Sequence, residues 1–133
     1  MWYYNGNEFT ETPKDYQGFV YCITELDTDK KYIGKKNFWR PKTLPKNSKR
    51  TRRVRTKVES DWREYYGSNQ KLQVLVEQRG ESNYKRTILR LCKTKGEMSY
   101  YEAKLQFEND VLLREDYYNE FIGCKIHSRH IRG

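Results

Sequence analysis

The sequence predicts an α+β domain: a small three-stranded antiparallel sheet flanked by helices, with a basic insertion after the second strand. Three observations predict it. Residues 18–38 alternate through a polar turn, as a hairpin does. Residues 83–92, NYKRTILRLC, alternate again as a third strand. Helical spacing falls only between and after these strands, so the order is β-β-(basic loop)-α-β-α. A length of 133 residues suits one domain with one modest core.

The first 17 residues lack a basic start followed by an apolar stretch, so they do not read as a signal peptide. They read as a polar arm whose Trp2, Tyr3 and Tyr4 fold back onto the domain. In residues 18–26, Phe19, Tyr21 and Ile23 alternate with Val20, Cys22 and Thr24. Asp27 to Lys30 is turn chemistry, because aspartate side chains bond nearby backbone amides. Residues 31–38 return as the second strand, where Gly34 lets another group approach the backbone. Pro41 and Pro45 oppose a helix directly afterwards, so residues 40–58 read as an extended basic loop with strand character at RRVRTKV. A short helix is expected over 59–66, ESDWREYY, ended by Gly67. A second is expected from a Ser68 cap to about Arg79, with Leu72, Leu75 and Val76 on one face and Gly80 at its end. Lys93 to Gly96 reads as a loop. Ser99-x-x-Glu102 has the capping-box pattern and predicts a last helix to about Leu113. The tail, 123–133, is basic.

The net charge of +9 is concentrated. Lys35 to Lys57 holds eleven Lys and Arg and no acidic residue; elsewhere 16 basic residues face 18 acidic ones. Such a block seeks a polyanion, and phosphate backbones are the obvious one. No apolar run approaches the ~20 residues of a membrane span. Three widely spaced cysteines, Cys22, Cys92 and Cys124, without an export signal point to reduced thiols in a cytoplasmic protein. Cys124, His127 and His130 fall short of the four ligands of structural zinc.

Two sets of residues admit two readings each. Tyr21 and Tyr32 stand eleven residues apart on adjacent strands, so their hydroxyls can converge on one site; they are equally what half-buried strand aromatics look like. Glu102 is either the reciprocal partner of Ser99 in a cap or a lone carboxylate for one divalent metal.

GFVY, nine residues, then KYIG resembles the signature of the GIY-YIG nuclease superfamily. The helix after YYGSNQKL, the strand KRTILRLC, the glutamate of YYEAKLQF and the asparagine of YYNEF follow in the family's order. The resemblance covers about residues 18–122, and WREYYGS with LLREDYYNEFI is similar to small phage-encoded homing-type endonucleases. It implies catalytic roles for Tyr21, Tyr32, Glu102 and Asn119, a motif backbone role for Gly34, and a single Mg²⁺ or Mn²⁺ on Glu102. The implied reaction is hydrolysis of a DNA phosphodiester. The family arginine has no clear counterpart, because Lys42 after Pro41 occupies its place. Arg63 is the first candidate, with Arg40 and Arg53 as alternatives, for a guanidinium near the scissile phosphate. Arg63 also reads as a surface partner of Glu59.

DNA contact is expected from Lys35, Lys36, Arg40, Lys42, Arg50, Arg52, Arg53 and Arg55. Two other functions compete. One is a nucleic-acid-binding module without turnover, using the basic loop 35–57 and stacking from Trp39 and Trp62. The other is a basic protein that binds an acidic protein surface. No residue pattern decides whether a dimer forms.

Overall fold

Residues 18–25 are apolar on both faces of a strand, so they need cover on both sides. The computed structural model, which describes residues 1–44, 54–123 and Ser128, supplies it. The strands are β1 (Trp2–Tyr4), β2 (Asn7–Phe9), β3 (Gly18–Glu25), β4 (Lys31–Asn37), β5 (Trp39–Leu44), β6 (Val54–Glu59) and β7 (Tyr84–Cys92); the helices are α1 (Gln70–Arg79) and α2 (Lys95–Glu108). Five strands form one sheet in the order β2-β1-β7-β3-β4. Phe19, Tyr21 and Ile23 pack with Trp2, Trp62 and Leu72 of α1 on one face. Val20, Cys22 and Ile33 pack with Cys92, Val111 and Met98 of α2 on the other.

The α+β class holds, but the expected three-stranded antiparallel sheet is corrected to five mixed strands. β3 pairs antiparallel with β4 and β7, while β1 pairs parallel with β7 and antiparallel with β2. The extra strands are three residues each, too short to show a period. Trp2 holds them: it is 1% exposed, and its indole Nε1 donates to the Trp62 carbonyl at 2.8 Å.

The basic insertion is also more regular than a loop. β5 and β6 form a separate antiparallel ribbon. The helix expected over 59–66 is replaced by the end of β6 and a 3-10 turn at Trp62–Glu64. Glu59 stays in the ribbon, paired with Trp39, and Ser60 bonds to the Phe38 and Asn37 carbonyls, which holds the start of the segment extended. Arg86 of β7, 3% exposed, donates to the carbonyls of Arg63 and Tyr65 at 2.8 and 2.9 Å and ties the turn to the sheet. α1 is capped by Asn69 rather than Ser68, through the Leu72 amide at 3.0 Å, and ends at Gly80 as expected.

α2 begins earlier than the sequence pattern implies. Thr94 is its cap, accepting from the Glu97 amide at 3.0 Å, so Lys95 and Gly96 are helical. Ser99 and Glu102 lie inside the helix, and the capping-box reading of Glu102 does not apply. Residues 116–118 run along the outer edge of β4: Lys31 donates its amide to Asp116, and Tyr118 donates to the Lys31 carbonyl. Among the described residues no helix is long and apolar enough to cross a membrane.

Candidate active site

Antiparallel register decides which side chains share a face. Tyr21 faces Gly34 and Ile23 faces Tyr32 across β3 and β4, so both phenols stand on one face. Their ring centroids are 6.3 Å apart, and Tyr65 packs edge-on to Tyr21 at 6.0 Å. Tyr21 is fully buried, and among the described residues its hydroxyl has no hydrogen-bond partner. Burial pushes its pKa well above the usual phenol value, and the neighbouring Tyr65, Tyr32 and Glu102 add to the effect. Tyr32 is half-buried and shares a 2.9 Å hydrogen bond with Ser68. Its pKa is also raised, by burial first, with the Ser68 bond opposing.

Gly34 makes this packing possible. A Cβ there would lie 2.5 Å from the Tyr21 hydroxyl oxygen and 2.9 Å from a Tyr32 ring carbon. Gly34→Ala is expected to displace both phenols, to destabilise by about 1–3 kcal/mol as overpacking does, and to remove catalysis. Urea denaturation and a nicking assay check this together; a stable, active variant would detach Gly34 from the site.

β4 is an edge strand, and its outward backbone groups are met by side chains. The Ile33 amide donates to Asn119 Oδ1 at 3.1 Å, and Asn119 Nδ2 donates back to the Ile33 carbonyl at 2.8 Å. The Asn119 amide thus does what a further strand would do. Gln106 Nε2 donates to the same carbonyl at 2.9 Å. Between them the two amides fix the strand segment that carries Tyr32 and Gly34.

Glu102 projects from α2 toward this edge and is partly buried. Burial raises its carboxyl pKa, opposed by the charge and backbone amide of Lys35. The Lys35 ammonium donates to Ser99 at 2.7 Å. Tyr32, Lys35, Ser68, Glu102, Asn119 and Glu120 line one cavity of about 250 Å³. An adjoining open groove of about 580 Å³ continues past Ser68, Lys71 and Phe121. Mg²⁺ is commonly held by one or two carboxylates together with water and phosphate oxygens. Glu102, with Glu120 on the same cavity, fits that donor set. Among the described residues no three His, Cys, Asp or Glu side chains form a closed metal cluster.

The structure therefore brings Tyr32, Glu102 and Asn119 to one cavity, with Gly34 and Tyr21 behind it. Arg63 lies elsewhere: its guanidinium donates to the Thr10 carbonyl at 3.1 Å and to Thr12 at 3.1 Å, and it pairs with Glu59 at 3.4 Å. Lys36 pairs with Asp61 at 2.6 Å and lies 4.2 Å over the Tyr65 ring. Arg40 and Lys42 are exposed on the ribbon. Arg50, Arg52 and Arg53 lie outside the described residues, as do the side chain of Arg55 and the Cys124, His127 and His130 set.

Sequence reasoning missed four residues of this neighbourhood. Ser68, expected as a helix cap, is instead the partner of Tyr32. Gln106 follows Glu102 by one helical turn, a spacing that marks a shared face. Tyr65 and Glu120 carried no signal beyond their type. No curated protein and no solved structure matches the chain. The sequence model of the family described as "Putative endonuclease segE, GIY-YIG domain" matches residues 2–122, and the chain is thereby a member of the GIY-YIG nuclease superfamily, of the segE endonuclease kind.

Proposed function

We propose that the chain is a divalent-cation-dependent DNA endonuclease that hydrolyses phosphodiester bonds in the cytoplasm of a host cell, in the manner of phage homing-type or DNA-degrading enzymes. The observation that carries this reading is the meeting of Tyr32, Lys35, Glu102 and Asn119 at one cavity on the edge of β4. Glu102 would hold the single Mg²⁺ or Mn²⁺, which when bound supplies charge stabilisation at the phosphate and the leaving oxygen. Tyr32, held by Ser68, orients the attacking water through its hydroxyl. Tyr21 keeps its proton at neutral pH, because burial raises its pKa, and it acts as a fixed packing support behind Gly34. Asn119 holds the strand that presents Tyr32. With the Arg63 guanidinium engaged by Thr10, Thr12 and Glu59, we assign the positive charge nearest the phosphate to Lys35.

That engagement of Arg63 also favours a second reading, a DNA-binding module without turnover. Supercoiled plasmid incubated with Mg²⁺, Mn²⁺ or EDTA separates the two. Nicking with either cation and none in EDTA is expected. A salt-sensitive gel shift without nicking under any condition would leave only the binding module.

A further inference from the structure

We propose that the β5–β6 ribbon enters the major groove of B-form DNA, with Arg40 and Lys42 on the face that meets the bases. This rests on the nuclease reading and adds to it the groove that is entered and the residues that enter it. The two strands pair over six positions, from Trp39 opposite Glu59 to Leu44 opposite Val54, and among the described residues join no other strand. Six residues of strand span about 20 Å. The root is held firmly: Phe38 is fully buried, the Ser60 amide donates to the Phe38 carbonyl at 2.8 Å, and Trp39 Nε1 donates to the Pro13 carbonyl at 3.3 Å. Beyond the root Arg40, Pro41, Lys42, Thr56 and Lys57 are all exposed, so at these positions the body covers neither face of the ribbon. A bare two-stranded ribbon is marginal in water, and one projecting from a rigid root is suited to a partner.

The partner must be a polyanion, since no acidic residue lies between Lys35 and Lys57. Shape then selects among polyanions. The major groove of B-DNA, about 12 Å wide, admits a two-stranded ribbon, whereas the minor groove, about 6 Å wide, does not. The major groove of A-form RNA is too deep and narrow for side chains to read. Register adds detail. Arg40 lies opposite Val58 and Lys42 opposite Thr56, so Arg40, Lys42 and Thr56 share one face; Pro41 and Lys57 share the other. Arg40 and Lys42 are two strand residues apart, about 6.7 Å. That equals about two base-pair steps of 3.4 Å. Arginine and lysine pair with the O6 and N7 acceptors of guanine there. The ribbon begins at Trp39, three residues after Lys36 of β4, so seating it in the groove brings the edge of β4 to the neighbouring backbone.

The test binds the full chain to a mixed-sequence DNA duplex in EDTA, with methyl green as major-groove competitor and netropsin as minor-groove competitor. Dimethyl sulfate protection reads the same complex, since it modifies guanine N7 in the major groove and adenine N3 in the minor. Displacement by methyl green alone and protection of guanine N7 are expected. The double variant Arg40→Ala/Lys42→Ala is expected to bind at least about tenfold more weakly and to lose that protection with an unchanged circular dichroism spectrum. Displacement by netropsin with adenine N3 protection, equal affinity for single strands, or full protection by the double variant would each overturn the proposal. If wild type still nicks plasmid in those cases, the nuclease reading stands without the ribbon. Wild type that neither binds nor nicks DNA removes both.

Discussion

Glu102→Gln is expected to lower the rate of plasmid nicking by at least about 100-fold while DNA affinity stays nearly unchanged, because affinity comes mainly from Lys and Arg on phosphates. The substitution keeps the shape of the side chain and removes its charge. It carries a second expectation that a merely structural carboxylate would not produce. Burial raises the Glu102 pKa above its unfolded value, outweighing the charge and backbone amide of Lys35. A raised carboxyl favours the folded state fully below the unfolded pKa, and that advantage is lost as pH rises through the folded pKa. Ionised Glu102 is thus a burden on the fold at neutral pH. The glutamine variant should melt higher than wild type in EDTA at neutral pH, and the difference should vanish below about pH 4. Nicking by wild type should likewise fall as pH drops and Glu102 takes up its proton. Calorimetry in EDTA and nicking rates measured across pH check both. A variant that loses activity and also stability would make Glu102 a structural residue.

The parts of this site that were legible in the sequence are those written as local pattern. The hairpin of β3 and β4 alternates cleanly through a polar turn, so the pattern alone puts Tyr21, Tyr32 and Gly34 on facing strands. The place of Glu102 in a motif puts it on the last helix, but the Ser99 capping pattern misplaces where that helix starts. Thr94-x-x-Glu97 is the same pattern five residues earlier, and only packing decides between two adjacent starts. Asn5-Gly6 is a strong hairpin signal, with both residues at positive φ, yet three-residue strands beside it hide the alternation. Other features were not legible because they depend on distant partners. A strand-borne Arg86 that ties the carbonyls of Arg63 and Tyr65 to the sheet has no local mark. Neither does the Arg63 guanidinium being taken by Thr10 and Thr12. The amide of Asn119 closing on Ile33 spans most of the chain, and its sequence position alone says nothing of that bond.

Glu25→Gln is expected to cost about 3 kcal/mol of stability and, through it, activity. The Glu25 carboxylate is 2% exposed and serves four donors. Its Oε2 accepts from the Tyr84 hydroxyl at 2.7 Å and the Tyr118 hydroxyl at 3.1 Å. Its Oε1 accepts from Thr28 and from the Arg79 guanidinium at 2.9 Å. Whichever oxygen becomes an NH₂ group, two donors lose their acceptor, and Arg79 loses its buried countercharge. Burial pushes the Glu25 pKa up, but the bonds from Thr28, Tyr84 and Tyr118 and the charge of Arg79 together hold it below the usual carboxylate range. A depressed carboxyl contributes stability above its unfolded pKa, and the contribution is lost as pH falls through the folded pKa. The gap between wild type and Glu25→Gln should therefore be full at neutral pH and close in acid, as for the Glu102 pair but with the opposite sign, the glutamine variant here being the less stable. The link to the site runs through Tyr118. That residue is pinned by Glu25, donates its amide to Lys31 at the edge of β4, and precedes Asn119, whose side chain grips Ile33. Releasing Tyr118 loosens Asn119, so nicking should fall even at temperatures where the variant remains folded. Melting curves across pH, with nicking measured well below the melting transition, test the two halves separately. Full activity in a destabilised variant would confine Glu25 to the fold and free the Asn119 clamp from it.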